Sequence, residues 1–145
     1  LLTVPGRVII SMKGSGSEMA LKMKLLEGVY GVCRLGSAEP VPGWAGSRGG
    51  FLSVTRTEDE LSVVCLQDGI PEDAKCERGW RIYKVLGPLD FSLVGILAGI
   101  SGALAKSGVS MFAVSTYDTD YILVKGSDIG RASEALEGEG CEIVS

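Results

Sequence analysis

Two stretches of the chain carry apolar runs on either side of an acid-rich interruption. They are "SVTRTEDELSVV" over 53–64 and "AVSTYDTDYILV" over 113–124. At a constant offset of sixty they share one order: a small residue, a valine, a hydroxyl residue, a polar patch, then an apolar run. Apolar runs separated by a short polar cluster predict a β-hairpin, so the pattern predicts two equivalent hairpins. Upstream at the same offset, "MKLL" (23–26) aligns with "YKVL" (83–86). Their alternation predicts a half-buried strand opening each half.

Between strand and hairpin the halves differ. In "LDFSLVGILAGISGALAKSG", Leu93, Ile96, Leu97, Ile100 and Leu104 recur at helical spacing and predict one apolar helix face. Asp90 suits the N-cap and Gly108 the stop. In the first half the same interval holds Pro40 and Pro42, which forbid a long helix and leave room for one short turn around Trp44. After each hairpin a second helix is expected. The first is "GIPEDAK", with Pro71 in the first turn. The second is "SDIGRASEALEGEG", capped by Ser127 or Asp128, with Ile129, Ala132 and Leu136 on one face and Gly138 and Gly140 closing it. "CEIV" then ends the chain as a strand. The second half reads β-α-β-β-α-β, an open sheet with both helices on one face. A module this small has a meagre core by itself, so two sharing a chain are expected to pair. Trp44 and Trp80 are expected in core or inter-module packing.

Composition narrows the chemistry. The 145 residues are 46% hydrophobic and 22% charged, a globular balance, with a formal charge of −4. That charge argues against nucleic acid and anionic membrane surfaces as partners, and the single "RGG" at 48–50 reads as a loop. The longest uncharged stretch, Phe91 to Ala105, is shorter than the ~20 residues of a membrane span. Residues 1–19 read as an optional leader, with "GSGSE" as a flexible joint and "RVIIS" available as an edge strand; the sequence does not decide whether it joins the core. Cys33, Cys65, Cys76 and Cys141 have no paired spacing and there is no histidine, so a metal centre is not expected. Cys33 and Cys65 sit in apolar runs and read as small hydrophobes, and the cysteine usage points to a reducing, cytoplasmic setting. No cofactor is called for.

The string "GPLDFSLVGILAGISGALAKSGVSMFAVSTYDTDYILVK" resembles the ACT domain, a βαββαβ regulatory ligand-binding module. Together with "FLSVTRTEDELSVVC" it looks like the tandem ACT proteins related to the CASTOR arginine sensors, which include small bacterial relatives. The resemblance covers about residues 20–145 and is most specific from Gly87 to Lys125. It implies an α+β fold of two ferredoxin-like (βαββαβ) ACT modules in tandem, over 20–78 and 79–145, the first with an abbreviated first helix. The truncated first module is itself a feature of that family.

The resemblance implies that an amino acid docks at the loop and helix start formed by Gly87, Pro88, Leu89, Asp90, Phe91, Ser92 and Leu93. A helix N-terminus offers unpaired N–H groups and partial positive charge to a carboxylate. Asp90 itself reads as a cap, since its charge opposes a carboxylate. The polar turns supply the second group of candidates: Ser115, Thr116, Asp118 and Asp120, with Thr55, Thr57 and Glu58 in the first half. Turns need such residues anyway for local hydrogen bonds. Two dense carboxylate clusters at matching positions nevertheless suit a ligand's cationic group, if both border a shared crevice. In the arginine sensors an aspartate of this motif contacts the ligand side chain, a role falling on Asp118 or Asp120; the sequence does not choose.

Catalysis is not expected. There is no histidine for a triad, "GISG" at 99–102 lacks nucleophile-elbow spacing, and "GSGSE" is no P-loop. Glu58 and Asp118 as an acid–base pair would lack a nucleophile. The reading is therefore a regulatory protein holding a small molecule, an amino acid, between two ACT modules, with a further protein partner and a homodimer expected. Its competitor is a ligand-free interaction scaffold on the same modules.

Overall fold

A computed structural model describes residues 21–86 and 95–145. The strands are β1 (Leu21–Leu25), β2 (Tyr30–Leu35), β3 (Ser53–Arg56), β4 (Leu61–Leu66), β5 (Cys76–Val85), β6 (Met111–Ser115), β7 (Asp120–Lys125) and β8 (Cys141–Val144); the helices are α1 (Ile96–Lys106) and α2 (Ile129–Gly138). The result is a mixed α+β fold. The chain divides into two compact units. Among the described residues, one comprises 21–26, 82–86 and 95–145, and the other is Glu27–Arg81. β5 contributes residues to both. Val32, Cys33 and Tyr30 of β2 face Glu77, Cys76 and Trp80, whereas β1 faces Tyr83, Lys84 and Val85.

The larger unit follows the expected β-α-β-β-α-β order from the end of β5 to β8. Its strand order is β6-β7-β5-β1-β8. Ile96, Ile100 and Leu104 of α1 and Ala132 and Leu136 of α2 join Tyr83, Val85, Ile122, Val124 and Cys141 in one buried cluster. The helical face expected at Ile96, Ile100 and Leu104 is thus the buried one. α1 stops in a Schellman turn. The Val109 N–H reaches the Leu104 carbonyl at 2.9 Å, and the Gly108 N–H reaches the Ala105 carbonyl at 3.0 Å. This requires the left-handed backbone of Gly108, φ +73°. α2 begins after Asp128, whose carboxylate pairs with Arg131 at 2.5 Å instead of capping the helix.

The smaller unit has the strand order β3-β4-β2-β5, all antiparallel. Pro40 and Pro42 do exclude a helix, but more than the one expected turn closes in the interval: the Ala45 N–H meets the Pro42 carbonyl at 3.1 Å and the Gly49 N–H meets the Gly46 carbonyl at 3.3 Å. "GIPEDAK" is not a helix either. It forms one turn, the Ala74 N–H meeting the Pro71 carbonyl at 3.1 Å, after a short 3-10 segment at Gln67–Gly69. Between β4 and β5 too few residues remain to repay helix nucleation.

Two further expectations change. The stretch "MKLL" does not open the smaller unit. Its strand β1 pairs antiparallel with the very stretch it was aligned to, Met23 opposite Val85 and Leu25 opposite Tyr83, and lies parallel to β8 on its other side. The division expected near residue 79 therefore differs in that Leu21–Leu25 joins the larger unit. Alternation states that Met23 and Leu21 need a buried face, but it does not say in which sheet. The equivalence of the hairpins also shifts by one residue. Arg56 faces Leu61 as Ser115 faces Asp120, so the structural offset is fifty-nine.

Candidate functional site

The hairpin β6–β7 turns over Thr116–Thr119. The Thr116 N–H donates to the Thr119 carbonyl at 2.8 Å, and the Thr119 N–H donates to the Thr116 hydroxyl at 3.3 Å. The side chain thereby takes the place of a backbone carbonyl in closing the turn. The hairpin β3–β4 does the same with Thr57: its N–H donates to the Glu60 carbonyl at 2.9 Å, and its hydroxyl accepts from the N–H groups of Asp59 at 3.1 Å and Glu60 at 3.2 Å. The structural repeat is therefore a threonine-closed four-residue turn, Thr57 matching Thr116. Tyr117, not Asp118, matches Glu58.

Within the second turn the residues have separate tasks. Thr119 is 5% exposed, the one buried polar residue among those described, and its hydroxyl donates to the Val85 carbonyl at 2.5 Å. That bond fastens the turn to the last residue of β5, two positions before Gly87. Ser115 donates its hydroxyl to the Asp120 carboxylate at 2.5 Å, and Asp120 is half-buried. Asp118 is exposed and has no hydrogen bond or ion pair among the described residues, while Tyr117 is 85% exposed. The sequence reading passed over Thr119. Its only signal was a threonine at the turn's last position, which a local reading explains as turn chemistry.

In the smaller unit Thr55, Thr57 and Glu58 are all exposed. Two arginines brace this turn: Arg34 donates to the Asp59 carbonyl at 2.9 Å, and Arg56 donates to the Ser37 carbonyl. Glu58 and Asp118 belong to different units. The candidates Gly87, Pro88, Leu89, Asp90, Phe91, Ser92 and Leu93 lie outside the described residues. Among the described residues no group of acidic or cysteine side chains is arranged to hold a metal ion. No helix there is long and apolar enough to cross a membrane.

A family model of the ACT domain matches residues 75–138, and a separate model for an N-terminal domain matches 28–73. A protein from Agobacterium tumefaciens, known by its crystal structure, is 41% identical and superposes with a TM-score of 0.81 over 86% of this chain and 92% of that one. The human cytosolic arginine sensor for mTORC1 subunit 1 is 39% identical over 95 residues, 60% of this chain. The chain is an ACT-domain protein related to the CASTOR-type sensors. It matches 29% of that sensor's length. The regulatory subunit of aspartate kinase from Thermus thermophilus shares the fold of this ACT-domain protein, with a TM-score of 0.56 at 10% identity, covering 81% and 96% of the two chains.

Proposed function

We propose that this ACT-domain protein is a regulatory module that binds an amino acid, with the ligand at the turn Ser115–Asp120 and the segment Gly87–Leu93 that follows β5 in sequence. The observation that carries the reading is the bond from Thr119 to Val85. It fastens the turn beside the strand end that leads into the glycine–proline segment, in a chain related to a named arginine sensor. Asp118 is then the carboxylate for a ligand's cationic group. It is exposed and, among the described residues, unengaged, while Asp120 is held by Ser115. A guanidinium or ammonium group would gain a charge-assisted hydrogen bond there. Regulation follows if the ligand binds one arrangement of the protein better than another and shifts the population toward it, changing a partner-facing surface. That surface and a homodimer are part of the same proposal, as is a cytoplasmic setting.

Thermal melting in the presence of each of the twenty amino acids tests the reading. A ligand at a hundred times its Kd adds about 2.7 kcal/mol of stability. One or a few amino acids, cationic ones first, are expected to raise the melting temperature. A flat response to all twenty would favour the ligand-free scaffold. That alternative draws on the outer strand β3 of the smaller unit, where Val54 is exposed beside exposed Leu52.

A further inference from the structure

Three of the four cysteines, far apart in sequence, converge in the smaller unit. Cys33 of β2 and Cys65 of β4 are buried members of its core, and Cys76 of β5 lies partly buried against them.

Their positions in the sheet differ in a way that matters chemically. Cys33 and Cys76 are directly opposite each other on neighbouring antiparallel strands. The Arg34 N–H donates to the Lys75 carbonyl at 3.0 Å, so the adjacent Arg34–Lys75 position is the hydrogen-bonded one. Cys33 and Cys76 therefore form a non-hydrogen-bonded pair. Such pairs have the closer backbones, with Cα atoms about 4.5 Å apart, inside the span of about 4.4–6.8 Å that a disulfide bridges. Cys65 is placed otherwise. It faces Gly31 across β2–β4, and the residue facing Cys33 there is Val63. Its relation to Cys33 is diagonal, about 7–8 Å, at or beyond the limit of a disulfide.

Gly31 completes the arrangement. A Cβ at that position would come within 2.7 Å of the Cys76 sulfur and 2.5 Å of Ile70 Cδ1. The missing side chain leaves the Cys76 thiol room beside β2. Cys76 is also the more exposed of the three, and its thiol donates only a long contact, 3.6 Å, to the Glu77 carbonyl.

We propose that Cys33 and Cys76 are a reversible thiol–disulfide pair, oxidised by a hydroperoxide. The Cys76 sulfur attacks the peroxide; the S–O bond forms, the O–O bond breaks, and the leaving oxygen departs as water or alcohol with the thiol proton. The Cys33 sulfur then displaces the sulfenic hydroxyl. The S–S bond forms, the S–O bond breaks, and the hydroxide leaves as water with the Cys33 proton. The two sulfurs supply the two electrons that reduce the peroxide. Burial, reinforced by the neighbouring Cys76, pushes the Cys33 thiol well above its usual range, and burial likewise raises Cys65. Cys76 is the most exposed of the three while Cys33 and Cys65 are buried, so the first attack belongs to Cys76 and Cys33 acts as the resolving thiol.

Treatment of the whole protein with hydrogen peroxide, followed by alkylation and tryptic mass mapping, tests this. The four cysteines fall in four separate tryptic peptides, bounded by Arg34, Arg56, Lys75, Arg78 and Arg131. Two of the four thiols should be lost, the peptide ending at Arg34 should be joined to Cys76–Arg78, and dithiothreitol should restore both. The Cys65→Ala variant should still form the link and Cys76→Ser should not. Recovery of Cys33 fully alkylated while Cys76 is over-oxidised, or bound to Cys65, would overturn the proposal.

Discussion

Thr119 shows how one hydroxyl ties sequence-distant parts together. It is buried and bonded to the Val85 carbonyl, so Thr119→Val keeps the shape but leaves that carbonyl without its donor. The expected loss is about 1–3 kcal/mol in urea unfolding, with Thr119→Ser close to the native protein. Gly108 carries the other single-residue constraint. Its left-handed backbone closes α1, and a side chain there costs about 1–2 kcal/mol, so Gly108→Ala should unfold at lower urea. At Asp118 the effect should be functional. Asp118→Asn is expected to leave stability unchanged while weakening binding of a cationic amino acid at least tenfold by calorimetry, about 1.4 kcal/mol. Equal binding by the variant would remove Asp118 from the site.

At the scale of elements, the two hairpins are alike through their threonines and not through their carboxylates. Thr57 and Thr116 each accept the N–H that closes the turn. Their replacement by alanine should destabilise the protein by about 0.5–1.5 kcal/mol each, whereas Glu58→Gln should not change the urea midpoint. The acid-rich pattern was legible because it interrupts apolar runs. Its register was not, because a turn tolerates polar residues at every position and an offset of sixty reads as well as fifty-nine. The helices α1 and α2 were legible from their spaced apolar faces. The expected helix at "GIPEDAK" was not realised, since a few residues cannot offset the entropy of nucleation without an apolar face of their own.

For the molecule as a whole, buried thiols set an alkaline limit. Burial, with Glu139 nearby, raises Cys141 from 9.0 to about 11. The folded state keeps that proton where the unfolded chain loses it. Stability is therefore unaffected below about pH 9 and falls as pH rises from there toward 11. Cys33 and Cys65 shift in the same direction. Melting curves across this range should show the decline, and Cys141→Ala should flatten its own share of it. A slope that appears only below pH 9 would contradict the assignment.

By itself the sequence determined the apolar faces, the interruptions between them and the relation to ACT-domain sensors, because spacing and residue type are local properties. Only the tertiary structure decided where those faces went. It put Leu21–Leu25 beside Tyr83–Val85, set Thr119 beneath Val85 and aligned Cys33 with Cys76. Strand alternation specifies that a face must be buried but is silent on its partner, and the choice among partners depends on registers and long-range contacts that no short window of sequence contains.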